Sequence, residues 1–264
     1  MPLVQINDTE LYYELSGSGP QTLVLLNGIS MSTAAWAMQV AAFQSRFQVL
    51  RYDLRGQLQS GKPEADMYSM PQHAADLACL LDKLAIPAAC LVGLSYGGAV
   101  AQQFALDYPH QVQRLLLAGT LAWSDPVNEA IAMSWEAAAR TPDAALRFDI
   151  GLPLTFGAEY LVQQADNIAL MRDFAARQPW LPLARLVAGM RAHDLRSRLA
   201  QINLPTLVLV GEDDRFTPLY HARLLACSIP GARLQVVANC GHAIPLERPN
   251  EFNRLVLDFF DGSA

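Results

Sequence analysis

The sequence predicts an α/β fold: a mostly parallel, eight-stranded sheet flanked by helices, with a helical cap. Three observations predict it. Short β-rich runs alternate with amphipathic helical stretches over much of the chain, the rhythm of strand–helix–strand units. Most of these runs are continuously apolar, as expected of strands buried on both faces. The rhythm then stops between residues 121 and 200, where only helical patterns occur.

Residues 3–6 and 11–15 flank the polar turn Asn7-Asp8-Thr9 and read as a hairpin. The run 22–26 is uninterrupted apolar sequence, and 47–52, 89–92, 114–118, 206–210 and 234–237 are similar. Between them, amphipathic helices are expected near 32–44, 72–84, 98–108, 218–228 and 250–260. The stretch 121–200 is rich in alanine and carries Trp123, Trp135, Phe148, Phe156, Tyr160, Phe174 and Trp180. Pro142, Pro153, Pro179 and Pro182 are expected to divide it into separate helices. The predicted organisation is a core formed by 1–120 and 201–264, with 121–200 as a helical lid inserted in the same domain.

The composition narrows the function classes. The 264 residues are 52% hydrophobic and 17% charged, ample for a real core and incompatible with global disorder. With 19 basic and 25 acidic side chains the net charge is −6, which argues against nucleic acid or an anionic membrane as the main partner. Four cysteines, none in a Cys-x-x-Cys pair, read as free thiols of a reducing compartment. No basic-then-apolar leader is visible, and no apolar run reaches bilayer length. A cytoplasmic protein is expected, without membrane partners. No phosphate loop, metal-ligand cluster or dinucleotide fingerprint appears, so neither metal nor cofactor is predicted. Gly17-Ser18-Gly19 precedes a strand rather than following one. A homodimer has no sequence signal for or against it.

The strongest local signal is Gly93-Leu94-Ser95-Tyr96-Gly97-Gly98, lying between an apolar strand and a helix. That is the setting of a Gly-x-Ser-x-Gly nucleophile elbow, in which a tight turn exposes the serine hydroxyl at a strand's C-terminal end. A serine needs a histidine base, and the histidine needs a carboxylate to fix its tautomer. Of the five histidines, His242 alone follows a strand end on the same rim as Ser95. Asp214, after the run 206–210, is the preferred carboxylate; Asp213 and, after the preceding strand, Asp125 are the alternatives. Two N–H donors are needed for the developing oxyanion. They are expected from Tyr96 and from Ile29 in the loop after 22–26. Gly28 would permit a close approach there and Asn27 would brace the loop. Asn27, Gly28 and Trp123 are the candidate substrate-binding residues.

With these residues in place, the chain resembles the α/β-hydrolase superfamily over essentially its whole length. The matching pieces are Leu26-Asn27-Gly28, Tyr52-Asp53-Leu54-Arg55-Gly56, the Ser95 elbow, Gly211-Glu212-Asp213-Asp214 with Pro218 four residues on, and Gly241-His242. In that family the acid lies three residues after the glycine and four before the proline, which supports Asp214. The chain departs from the family where His-Gly becomes Asn27-Gly28, and where the second glycine of Arg-Gly-x-Gly-x-Ser becomes Leu58. Arg51-Tyr52-Asp53, Gly93-Leu94-Ser95, residues 190–196 and the closing stretch 229–260 are similar to 3-oxoadipate enol-lactonases and related small-ester hydrolases. Asn27-Gly28, residues 32–36 and Gly211-Glu212-x-Asp214-x-Phe216-Thr217 resemble instead an acyltransferase-like branch that handles 3-hydroxyacyl thioesters.

The expected function is a serine hydrolase acting on a small-molecule carboxylic ester, lactone or acyl thioester through an acyl-Ser95 intermediate. If an alcohol replaced water in the second step, the same residues would make an acyltransferase. A cofactor-free oxygenase or lyase would use the His–Asp pair without the serine, and a ligand receptor would use the pocket alone.

Overall fold

The computed structural model describes residues 2–261; Met1 and residues 262–264, the outermost parts of the expected core segments, lie outside the described residues. Eight strands form one sheet: β1 (Leu3–Ile6), β2 (Thr9–Ser16), β3 (Thr22–Leu26), β4 (Gln48–Tyr52), β5 (Ala89–Leu94), β6 (Val112–Ala118), β7 (Thr206–Gly211) and β8 (Arg233–Val237). Their spatial order is β1-β2-β4-β3-β5-β6-β7-β8. β1 and β2 form the expected hairpin, with Ile6 opposite Thr9. Its two-residue turn uses Asn7 at φ 46°, a left-handed conformation that asparagine tolerates. β2 also pairs antiparallel with β4, and all later pairings are parallel.

The helices are α1 (Ala37–Phe43), α2 (Met70–Lys83), α3 (Tyr96–Asp107), α4 (Pro126–Ala139), α5 (Leu146–Thr155), α6 (Ala158–Gln163), α7 (Ala165–Ala176), α8 (Trp180–Arg191), α9 (Leu219–Ser228), α10 (Ile244–Glu247) and α11 (Pro249–Phe260). One face of the sheet packs Val24, Leu26 and Leu117 against Leu77, Phe104 and Leu225 of α2, α3 and α9. The other packs Leu23, Leu25 and Leu116 against Phe43, Phe252 and Val256 of α1 and α11. Residues alternate between the two faces along each strand, so every side chain of β3, β5 and β7 is buried.

Several expectations need correction. β8 is not buried on both faces: Arg233, Gln235 and Val236 are exposed, because it is the edge strand with one neighbour. The single helix expected over 32–44 is a 3₁₀ turn, Thr33–Trp36, followed by α1. α2 starts two residues early because Ser69 caps it, accepting from Gln72 N–H. α5 runs through Pro153 and α8 holds Pro182 in its first turn. Pro142 and Pro179 do stand at helix boundaries.

Three features position the site. The chain passes from β3 outward to β4 and returns to β5 on the other side of β3. At such a reversal the loops leaving the two central strands diverge and open a crevice at their carboxyl ends. Helices α4 to α8 all lie between β6 and β7 in the chain. The two stems of this insert are zipped together, with Trp123 bridging Asp194, Ser124 N–H donating to His193 O at 3.2 Å and Leu195 N–H donating to Ala122 O at 2.8 Å. Among the described residues no helix is long and apolar enough to cross a membrane.

Candidate active site

Ser95 follows β5 directly and serves as the N-cap of α3, at φ 54° and ψ −116°. A non-glycine residue there is strained and is held by its surroundings. Its N–H donates to Ala118 O at 2.9 Å and its carbonyl accepts from Thr120 Oγ1 at 2.7 Å. The flanking glycines are required. A Cβ on Gly93 would lie 2.6 Å from Gly97 O, and one on Gly97 would lie 2.4 Å from Leu26 O. At Gly28, by contrast, an added Cβ would meet Ser95 Cβ at an ordinary 3.6 Å, so space alone does not demand glycine there.

Asp214 and His242 are brought together. Asp214 lies in the loop after β7 and is 5% exposed. Its Oδ1 accepts Phe216 N–H at 2.9 Å and Thr217 N–H at 2.8 Å. Its Oδ2 accepts Thr217 Oγ1–H at 2.9 Å and pairs with His242 Nδ1 at 2.9 Å. An ionised carboxylate only accepts, so this geometry assigns the proton to Nδ1 and leaves Nε2 as the basic nitrogen. Thr217 Oγ1 also approaches Nδ1, at 3.2 Å. Ser95 Oγ and His242 Nε2 share the rim but are not joined by a hydrogen bond; such contacts commonly tighten only when substrate arrives.

The loop carrying His242 is tied to the insert. His242 N–H donates to Thr155 O at 2.8 Å. Glu247, 8% exposed, accepts the N–H groups of Gly157 (2.9 Å), Gly241 (2.9 Å) and Ala243 (3.2 Å). Phe216 packs its ring 5.1 Å from that of His242, and Trp135 of α4 lies 5.6 Å beyond.

Ser95, Tyr96 and Ile29 line one cavity together with Ile131, Trp135 and Val187 from the insert. It holds about 50 Å³, room for a few waters or a short acyl chain. Tyr96 is the first residue of α3, so its N–H has no intrahelical acceptor. The Tyr96 phenol points away from the cavity, into the core, where it meets His73 Nε2 at 2.9 Å and donates to Tyr68 O at 3.2 Å.

The three candidate substrate-binding residues do not line this cavity. Asn27 is fully buried and its side chain is spent as a brace. It donates to Met31 O (3.2 Å) and Asp53 Oδ1 (3.3 Å) and accepts from Trp36 Nε1 (2.8 Å). Gly28 O accepts from buried Gln57 Nε2 at 3.3 Å. Trp123 is drawn into the zipped stems, its ring 4.8 Å from His221, with the Arg196 guanidinium 4.9 Å above it. The alternative acids have other places: Asp125 caps α4 through Val127 and Asn128 N–H, and Asp213 is exposed. Arg51 and Arg55 are held by Glu14 and by Asp8 and Asp76. Gln57, Thr217 and Glu247 have supporting roles that the sequence does not assign. Gln57 reaches Gly28 and Glu247 reaches Gly157, 29 and 90 positions away, whereas Thr217 bonds Asp214 three residues back. Among the described residues no group of three or more His, Cys, Asp or Glu side chains could hold a metal ion.

Comparison with known proteins bears on this geometry. Residues 23–255 match the model of the alpha/beta hydrolase family. A protein of Azorhizobium caulinodans provisionally named carbamate hydrolase RutD is 30% identical over 270 residues, covering 98% of each chain. The 2-hydroxy-6-oxo-6-phenylhexa-2,4-dienoate hydrolase of Comamonas testosteroni is 30% identical, covering 96% of this chain and 92% of its own. The crystal structure of the enol-lactonase from Burkholderia xenovorans LB400 superposes with a TM-score of 0.91 at 31% identity, over 98% of this chain and 100% of that one. The match runs from the first parallel strand into the last helix, around a sheet of the same architecture, and on that ground the chain belongs to the alpha/beta hydrolase family.

Proposed function

We propose that the protein is a serine hydrolase of small carboxylic esters, lactones or thioesters, working through an acyl-Ser95 intermediate. The observation that carries this reading is the 2.9 Å Asp214–His242 contact. By holding the proton on Nδ1, it leaves His242 Nε2 to act as base on the rim where Ser95 stands strained. As Ser95 Oγ attacks the carbonyl carbon, Nε2 takes the hydroxyl proton. The N–H groups of Ile29 and Tyr96 receive the oxyanion. The tetrahedral intermediate collapses, and His242 delivers its proton to the departing alkoxide or thiolate. Water, deprotonated by His242, then releases the acid and restores Ser95. The apolar wall from the insert takes the acyl group and excludes bulk water, so the insert serves as a lid.

The relatives act, by their names, on a carbamate, a dienoate and an enol lactone. That spread supports acyl-type hydrolysis and leaves the substrate to be read from this chain's own cavity. The test is labelling with a fluorophosphonate together with p-nitrophenyl ester turnover. Labelling confined to Ser95 and loss of turnover in Ser95→Ala are expected. Undiminished turnover in that variant would overturn the mechanism and favour base chemistry by His242 alone.

A further inference from the structure

Arg191, at the end of α8, is the one charged residue among the described residues lining the cavity beside Ser95. An arginine in an acyl pocket is the natural receptor for a carboxylate, since its fork matches the two oxygens. Here three of its five N–H donors are already taken. Nε and Nη2 both donate to Glu129, the Nε contact at 2.8 Å, and Nη1 donates to Glu136 at 2.8 Å. Glu129 and Glu136 lie seven residues apart on α4, two turns along one helix face. They grip the guanidinium from two sides. Of the three only Arg191 lines the cavity; one positive and two negative groups leave a single net negative charge beside its wall. The rest of the lining is apolar or uncharged, with Ile131, Ala132, Trp135 and Val187 prominent.

We infer that the Glu129–Arg191–Glu136 clasp filters substrates by charge, admitting uncharged acyl groups and turning away those with a distal carboxylate. The inference rests on the hydrolase reading above and specifies its substrate class. An anionic acyl group would lose hydration in an apolar cavity, meet net negative charge beside it, and find the Nε–Nη2 edge of Arg191 occupied by Glu129. The three side chains are each 38% exposed, so solvent screens part of this repulsion and added salt weakens it. Glu129 and Glu136 are therefore specificity-determining residues, acting through Arg191.

The experiment compares p-nitrophenyl pentanoate with mono-p-nitrophenyl glutarate, whose acyl chains have equal length. The quantity read is the ratio of their kcat/KM values within each variant, so any general loss of folded protein cancels. Wild type is expected to favour the neutral ester, less so at high salt. The double variant Glu129→Gln/Glu136→Gln frees Arg191 and should move the ratio about tenfold toward the glutarate ester. Adding Arg191→Gln to that background should reverse the gain. An unchanged ratio in the double variant, or a gain that survives Arg191→Gln, would overturn the filter. If neither ester is cleaved, the hydrolase reading has failed, and the filter is decided by calorimetric titration with ethyl pentanoate and monoethyl glutarate. Equal affinities for the two, unmoved in the double variant, would sink it as well.

Discussion

A trans peptide unit carries its C=O and N–H on opposite edges, and this gives a buried glutamine a role at the proposed oxyanion site. Gln57 Nε2 and Met31 N–H both donate to Gly28 O at 3.3 Å. The Ile29 N–H belongs to that same peptide and is thereby turned to its other edge. Gln57 is 2% exposed, so nothing in solvent can replace it. Gln57→Leu keeps the volume and removes the donor. It should lower kcat about tenfold, the worth of one buried hydrogen bond, while KM hardly moves, because the oxyanion exists only beyond the ground state. A rise in KM with kcat intact would instead mean that Gln57 shapes the binding cavity. The contrast with Ser95 shows what a sequence can reveal at this scale. Ser95 and His242 are legible because steric demand writes glycines beside them, Gly93 and Gly97 at one and Gly241 at the other. Gln57 serves a carbonyl 29 positions away, and only the folded chain pairs the two.

At the scale of elements, the short helix α10 joins the core to the insert. Its last residue, Glu247, holds three backbone N–H groups from two different segments, the insert at Gly157 and the His242 loop at Gly241 and Ala243. Glu247→Ala would strand all three donors in a buried place. The cost should be roughly 3 kcal/mol or more, read as a lower urea midpoint, and Glu247→Gln should fall between the variant and wild type because one acceptor oxygen survives. Wild-type stability in the alanine variant would show that water fills the gap at no cost. The strands of this molecule were readable because burial on both faces leaves unbroken apolar runs, as in β3, β5 and β7. β8 misled for the opposite reason: an edge strand can carry Leu234, Val236 and Val237 and still face solvent. The insert resisted division because α6 and α7 bury no residue, so no amphipathic period marks their ends. Trp123 was misplaced because the zipping of the stems, which captures its ring, pairs segments some seventy residues apart.

Considered whole, the molecule buries uncharged histidines at its joints, and this sets its response to acid. His73 links α2 to α3 through the Tyr96 phenol. His193 closes the insert's stems, and His221 packs beneath Trp123. Burial holds all three below the ordinary histidine range, His73 down to about 3 and His193 to about 4. In the unfolded chain each imidazole binds its proton near pH 6.5. Between that value and its folded one, the unfolded state carries the extra proton, so stability falls as pH falls. The stabilisation is complete above about pH 6.5 and drains away toward pH 4, at up to about 1.4 kcal/mol per unit for each histidine. The carboxyls of Asp8, Asp125 and Asp194, lowered by their hydrogen-bonding partners, add to the loss only at more acidic pH. Asp53, raised chiefly by burial, acts in the opposite sense. A decline between pH 6.5 and 4.5 therefore belongs to the histidines. Urea midpoints measured at pH 7, 6 and 5 should drop steadily in wild type, and more shallowly in His73→Gln, where one of the titrating joints is gone. A flat profile would mean that the histidine joints admit water and charge freely. In that case acid would leave the seam between α2 and α3, and the insert's stems beside the cavity, as firmly closed as at neutral pH.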